Sequence, residues 1–94
     1  MQFEEFTQSM NAGNAPANLD VYAQSMWYDK NNNWQRAHEL IQHVPSAKAY
    51  WIHAYLHRKE GDTGNAAYWY HKAGKPMPRY TLEQEWEEIV RAIL

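Results

Sequence analysis

Apolar residues recur every three or four positions along most of the chain, which is the spacing of one face of an α-helix. The pattern is most regular near the C-terminus, where the apolar positions are Leu82, Trp86, Ile89, Val90, Ile93 and Leu94. An earlier stripe consists of Trp34, Ala37, Leu40, Ile41 and Val44. No segment shows the strict apolar–polar alternation of a half-buried β-strand. The pattern therefore predicts an all-α protein.

Helix-capping residues and helix breakers divide the pattern into segments. Asn18 is a candidate N-cap for a helix that runs to about Lys30, and the three asparagines that follow are expected to end it. Further helices are predicted over 34–43, 47–60, 62–73 and 82–94, with candidate caps at Asn33, Ser46, Asp62 or Thr63, and Thr81. Thr81 and Gln84 have the spacing of a capping box at the start of the last helix.

The first eighteen residues differ from the rest of the chain. Phe3, Phe6 and Met10 have helical spacing, but the remainder of this stretch is small and polar and contains a glycine and a proline. We therefore expect residues 1–18 to form a flexible or partly helical N-terminal segment. Residues 19–94 are expected to form a single helical domain of four or five helices.

Composition narrows the class of protein. The chain has 94 residues, which is enough for one domain. Aliphatic residues are scarce, but 5 Trp and 7 Tyr supply large rings, so we expect an aromatic core. The absence of cysteine excludes disulfide bonds and thiolate zinc sites. No apolar run has the length of a membrane span, and the N-terminus lacks the apolar region of a signal peptide, so the predicted location is the cytoplasm.

Charge is distributed unevenly along the chain. The formal net charge is −2, yet seven of the nine Lys and Arg residues and all five His lie within residues 34–81. The acidic residues are concentrated on either side of that segment. This clustering is typical either of an ordinary solvated surface or of a surface that faces an anionic partner. The near-neutral overall charge argues against nucleic acid as the partner.

A weak internal repeat runs through the middle of the chain. An offset of 29 residues places Asn33 on Asp62 and Ala37 on Ala66, and both copies read as helix, polar turn, helix. Two such helical pairs can bury their apolar faces by stacking.

The stretch from Tyr50 to Pro78 resembles a tetratricopeptide or Sel1-like repeat. The matching positions are Tyr50, Ala54, Gly61, Asp62, Ala66, Tyr70, Ala73 and Pro78. The same stretch is similar to small bacterial helical proteins of unassigned function. The resemblance implies antiparallel helical hairpins, stacked as a short two-repeat array with a C-terminal capping helix. It also implies binding of a protein or peptide.

In such repeats, the first helix of each hairpin lines a concave binding face. On the helix predicted over 47–60, that face carries the candidate partner-binding residues Lys48, Trp51, Tyr55, Arg58 and Lys59. Aromatic rings give rigid contact area, and arginine binds carboxylates through two parallel hydrogen bonds. The alternative is that Trp51 and Tyr55 belong to the aromatic core, covered by the N-terminal segment or by the last helix.

Histidines on the same helix suggest a different chemistry. His53 and His57 are four residues apart and share a helical face, and Glu60 lies near the same stripe. With Glu60 or His71 as a third ligand, the pair could hold a metal ion with an open coordination position. The glutamate that a zincin motif places beside its first histidine is absent. Packed, hydrogen-bonded histidines that face the neighbouring helix are the competing interpretation.

The sequence thus favours a small helical interaction module over an enzyme. The predicted partner is a protein or peptide, which includes a second copy of the chain, and no cofactor or catalytic residue is predicted. One alternative is a metal-dependent or histidine-based enzyme centred on His53 and His57. The other is a nucleic-acid accessory protein that uses the basic middle of the chain.

Overall fold

The computed structural model describes residues 1–94 and contains six α-helices and no β-strand. In chain order these are α1 (Phe3–Ala12), α2 (Val21–Lys30), α3 (Trp34–Ile41), α4 (Ala47–Glu60), α5 (Thr63–Ala73) and α6 (Leu82–Ile93). The predicted all-α class is confirmed. None of the helices combines the length and the apolar character needed to cross a membrane.

Side-chain caps set most helix starts where the sequence predicted them. The predicted caps that accept a backbone N–H bond are Asn33, Ser46, Asp62 and Thr81. The start of α2 differs from the prediction. Asp20 caps this helix by accepting a hydrogen bond from the Ala23 amide (2.9 Å), whereas Asn18 has a φ of 67° and forms a left-handed turn. The end of α3 also differs, since this helix stops at Ile41 rather than at residue 43.

Consecutive helices pack in two pairs, α2 with α3 and α4 with α5. Only Gly61 and Asp62 connect α4 to α5, and Gly61 has a φ of 89°, the left-handed region that favours glycine at a helix end. The Lys72 ammonium near the end of α5 lies 4.8 Å from the ring of Tyr50 near the start of α4. The two helices therefore run in opposite directions. Contacts between α3 and α4 place the two pairs side by side.

Helix α6 packs against α2 and α4, the first helix of each pair. A helix that only capped the end of the array would contact the last pair alone, so α6 holds a different position from the one the resemblance implied. Its ring Trp86 is buried and donates a hydrogen bond from Nε1 to the Met26 carbonyl of α2 (3.1 Å). The C-terminal helix thereby joins both pairs into one unit.

The N-terminal segment is helical over α1 and packs on the rest of the molecule. The Phe6 ring is fully buried, with its centroid 6.1 Å from that of Trp86. Trp27 Nε1 of α2 donates a hydrogen bond to the Ser9 hydroxyl (2.9 Å). These contacts place α1 beside both α2 and α6.

Large rings form much of the core, as the composition predicted. The buried aromatic residues are Phe6, Trp27, Trp51, Tyr55, Tyr70 and Trp86. A ring with an N–H or O–H group needs a hydrogen-bond partner when it is buried. Every buried side-chain nitrogen and oxygen in the structure has one. The polar ends of these rings therefore fix how the helices meet.

Candidate functional site

Helix α6 covers the face on which the sequence placed the candidate partner-binding residues. Trp51 is only 6% exposed and Tyr55 only 2%. Trp51 Nε1 donates a hydrogen bond to Glu85 of α6 (3.1 Å), and the Tyr55 hydroxyl donates one to Asp29 of α2 (2.7 Å). Both rings belong to the core, so the groove expected on this face is occupied by the chain's own last helix.

Glu85 is a fully buried carboxylate that holds this packing together. Besides Trp51, it accepts hydrogen bonds from the Tyr70 hydroxyl (2.6 Å) and from the Arg58 guanidinium (2.8 Å). Burial and then the hydrogen bond to Glu85 raise the pKa of Tyr70, so its hydroxyl stays protonated and donates. The Arg58 charge offsets that of Glu85 inside the protein.

A second buried carboxylate, Asp29, neutralises the next cation of the predicted stripe. Lys59 Nζ lies 2.9 Å from Asp29 Oδ1, while the other carboxylate oxygen accepts the Tyr55 hydroxyl. Arg58 and Lys59 are thus paired within the fold. Of the five predicted partner-binding residues, Lys48 is the one that is exposed and has no carboxylate partner.

Three histidines meet between α3 and α4. His38 Nε2 of α3 lies 3.0 Å from His53 Nε2 of α4. His57 stands one turn further along α4, and one ring nitrogen of each residue lies within 4.8 Å of the others. His53 and His57 are 6% and 7% exposed, and His38 is half-buried. The structure therefore forms a histidine cluster from His38, His53 and His57.

Two tryptophan rings enclose the histidine cluster. Trp34 of α3 stacks on His38, with ring centroids 4.9 Å apart and planes 9° apart. Trp69 of α5 stacks on His53 at 3.9 Å and 18°. Stacked rings restrict rotation of the imidazoles and keep their nitrogens directed toward one another.

Burial sets the protonation of His38 and His53. Loss of hydration, followed by the neighbouring histidine charges, lowers the pKa of His53 to about 4. Burial and then His57 also lower the pKa of His38. His38 and His53 are therefore neutral near pH 7, and one of them donates the Nε2–H that the other accepts.

The structure brings together His53, His57 and Glu60 of the predicted metal site but not His71. His57 Nδ1 contacts Glu60 Oε2 at 2.5 Å, which brings together two of the residues that the sequence singled out. His71 is exposed on α5 and lies outside the cluster. The third histidine is instead His38, which the sequence analysis did not consider. Its signal was available, because position 38 falls on the apolar face of α3 that Trp34 and Ile41 share.

A second group of possible ligands consists of His57, Glu60 and Asp62. Glu60 and Asp62 are exposed, and the Asp62 carboxylate already caps α5 by accepting the Asn65 amide (3.2 Å). Asp62 therefore serves as the N-cap of α5, and this group gives no reason to propose a second metal site.

The α4–α5 pair carries a cluster of rings with a cation over them. Lys72 Nζ lies 4.8 Å from the ring centroid of Tyr50, 5.1 Å from that of Trp69 and 5.8 Å from that of Tyr68. Tyr68 is 57% exposed, the highest value among the large hydrophobic residues. We call Tyr50, Tyr68, Trp69 and Lys72 the lysine–aromatic face.

Unpaired cations lie at the same end of the α4–α5 pair. Lys75 follows α5 and sits 4.1 Å from the ring centroid of Trp51, and Lys48 lies in the first turn of α4, where no acidic residue is present. Neither lysine forms an ion pair, and the same is true of Lys72. This end of the molecule therefore presents positive charge beside aromatic surface.

Comparison of the chain with protein-family models, with curated proteins and with solved structures finds no match.

Proposed function

We propose that this protein is a cytoplasmic helical interaction module that binds an acidic segment of a partner protein. The observation that carries the proposal is Lys72, which lies over three aromatic rings on the lysine–aromatic face and has no carboxylate partner. A carboxylate of the partner would reach this ammonium while the exposed Tyr68 ring contacts its apolar groups. Aromatic rings are enriched at interface centres, and a charge complementary to the partner's favours its encounter and orientation.

The surrounding charge supports an acidic partner. Lys48 in the first turn of α4 and Lys75 just after α5 add unpaired positive charges at the same end of this helix pair as Lys72. Lys48 also stands at the start of α4, where the helix dipole itself favours a negative group. The positive electrostatic potential from these charges attracts an acidic segment and speeds its encounter with the protein.

An arrangement of two helical repeats leaves the lysine–aromatic face free to bind a partner. We propose that α2–α3 and α4–α5 are the two repeats of a bacterial tetratricopeptide-like array, with α6 lying on the face that such arrays use for ligands. The packing of α2 with α3 and of α4 with α5 supports this interpretation. Partner binding then uses the lysine–aromatic face. A second copy of the chain is a candidate partner, because its acidic ends would complement the same face.

Binding of a fluorescently labelled polyglutamate peptide tests this proposal. We expect the double variant Lys72→Glu, Lys75→Glu to weaken binding about tenfold or more, because it reverses two charges at the contact. Added salt should weaken binding by the wild-type protein for the same reason. Tyr68→Ala should also weaken it, since the ring provides contact area.

Arg36→Glu is the control, because it reverses one charge on an exposed residue of α3, which is half the charge change of the double variant. It should retain most of the wild-type affinity for polyglutamate. The proposal is wrong if Arg36→Glu and the Lys72–Lys75 double variant lose affinity equally, or if the wild-type protein does not bind the peptide.

A further inference from the structure

We propose that His38, His53 and His57 form a binding site for a divalent transition-metal ion, with Glu60 as the carboxylate that positions His57. The inference is separate from the partner surface, because none of these four residues belongs to the lysine–aromatic face, although Trp69 of that face stacks on His53. The histidine cluster joins α3 to α4, and one nitrogen from each of the three rings already lies within 4.8 Å of the others.

The ligand set selects the class of metal. Three imidazole nitrogens suit Zn²⁺, Cu²⁺, Ni²⁺ and Co²⁺, whereas Mg²⁺ and Ca²⁺ prefer oxygen ligands. Imidazole coordinates a metal ion through an unprotonated ring nitrogen, and one nitrogen of each of the three rings lies within 4.8 Å of the others.

Two of the three ligand nitrogens already have nearly the spacing of a tetrahedral site, and the nitrogen of His57, within 4.8 Å of both, would move toward them on binding. Bonds of about 2.0–2.1 Å to one zinc ion place two ligand nitrogens about 3.3 Å apart. His38 Nε2 and His53 Nε2 are 3.0 Å apart, so they need to separate by only a few tenths of an ångström. The ion would replace the hydrogen bond between these two nitrogens. Whichever ring carries the Nε2 proton would move that proton to its Nδ1 and remain neutral.

Glu60 supplies an interaction that metal-binding histidines commonly have. A ligating histidine usually donates its other N–H to a carboxylate, which fixes its tautomer and ring orientation. His57 Nδ1 lies 2.5 Å from Glu60 Oε2. With Nδ1 donating to Glu60, the lone pair of Nε2 is free to bind a metal ion.

The surroundings indicate a binding site that is closed to large substrates. Trp34 and Trp69 stack on His38 and His53 and cover those rings. None of the four cavities in the structure is lined by the histidine cluster. Three protein ligands leave one tetrahedral position, which a water molecule on the half-exposed His38 side would fill.

The test is a titration of the full-length, chelator-treated protein with Zn²⁺ and with Co²⁺. We expect one ion per chain by native mass spectrometry and, with Co²⁺, the intense visible absorption of a tetrahedral site. Because His38 is half-buried, His38→Asn should fold, which circular dichroism can verify. It should lower Zn²⁺ affinity by at least about 100-fold, since even an outer carboxylate is worth about 10–100-fold.

Two further variants separate a metal site from general packing. Glu60→Gln should weaken Zn²⁺ binding by about 10–100-fold while the Co²⁺ spectrum stays tetrahedral. His71→Asn changes an exposed histidine outside the cluster and should leave affinity unchanged. Absence of stoichiometric binding by the wild-type protein would overturn the proposal. So would unchanged affinity in a folded His38→Asn protein, or an equal loss in His71→Asn.

Discussion

At the scale of single residues, His53 and His57 show how the same residue type is accommodated in two ways. His53 lies between the Trp69 ring and the nitrogens of two other histidines, with no carboxylate beside it. His57, one helical turn away, contacts Glu60. A buried imidazole without a counter-charge is most stable when neutral. The neighbour of His57 is local, three residues along α4, whereas Trp69 and His38 reach His53 from other helices. The burial of His53 makes the stability of the protein depend on pH.

We predict that the metal-free protein loses stability as the pH falls from about 6.5 toward 4. The pKa of His53 is about 4 in the folded protein and 6.5 without the fold, so the unfolded chain binds its proton first. The stabilisation is fully present above pH 6.5 and is lost as the pH falls toward 4. We expect a loss of at least about 1 kcal/mol, or about 4–8 °C in melting temperature.

Thermal unfolding of wild type and His53→Gln in the presence of a chelator measures this effect. The other titratable groups that face His53 are His38, His57 and His43, and they are common to both proteins. The difference in melting temperature between the two proteins should narrow as the pH falls. A difference that stays constant between pH 7 and 4 would contradict the prediction, and His71→Gln should behave as wild type.

At the scale of elements, the helices could be predicted from the sequence, but their arrangement could not. Capping residues act within one turn, so Ser46 and Thr81 mark helix starts without reference to the rest of the fold. The contacts of α6 are remote, and the one between Trp86 and Met26 joins positions 60 residues apart. His38 and His53 are separated by 15 residues and lie on different helices. A single sequence carries no local signal for such pairs.

We predict that Glu85 is the residue on which the attachment of α6 most depends. Glu85→Ala would leave the Arg58 charge without its partner and would remove the acceptor for Trp51 and Tyr70. Breaking a buried ion pair in this way costs about 3–5 kcal/mol. Urea unfolding should therefore show a large fall in the free energy of unfolding.

Glu87→Ala is the control, because Glu87 is an exposed residue of the same helix. Its ion pair with Arg91 is solvent-exposed, so the variant should change stability by no more than about 0.5 kcal/mol. Equal effects of the two substitutions would show that α6 is not held by the buried carboxylate.

At the scale of the whole molecule, the uneven charge of the sequence has a partly internal explanation. The acidic ends of the chain fold onto its basic middle through the ion pairs Arg58–Glu85 and Lys59–Asp29. Four cations of the basic segment are left without a carboxylate partner: Lys48, Lys72, Lys75 and Arg79. Helix α6 closes one face of the molecule, and we propose that this remaining charge, beside the exposed Tyr68 ring, binds the partner on another.

Photo-cross-linking in the cells that produce the protein tests this claim most directly. A photoreactive phenylalanine analogue is placed at Tyr68 on the lysine–aromatic face and, as a control, at the exposed Glu39 of α3. We predict a discrete cross-linked protein at position 68, absent at position 39 and lost when Lys72→Glu is added. A product of twice the chain mass would identify the partner as a second copy. Cross-linking that is the same at both positions, or that survives Lys72→Glu, would contradict the account.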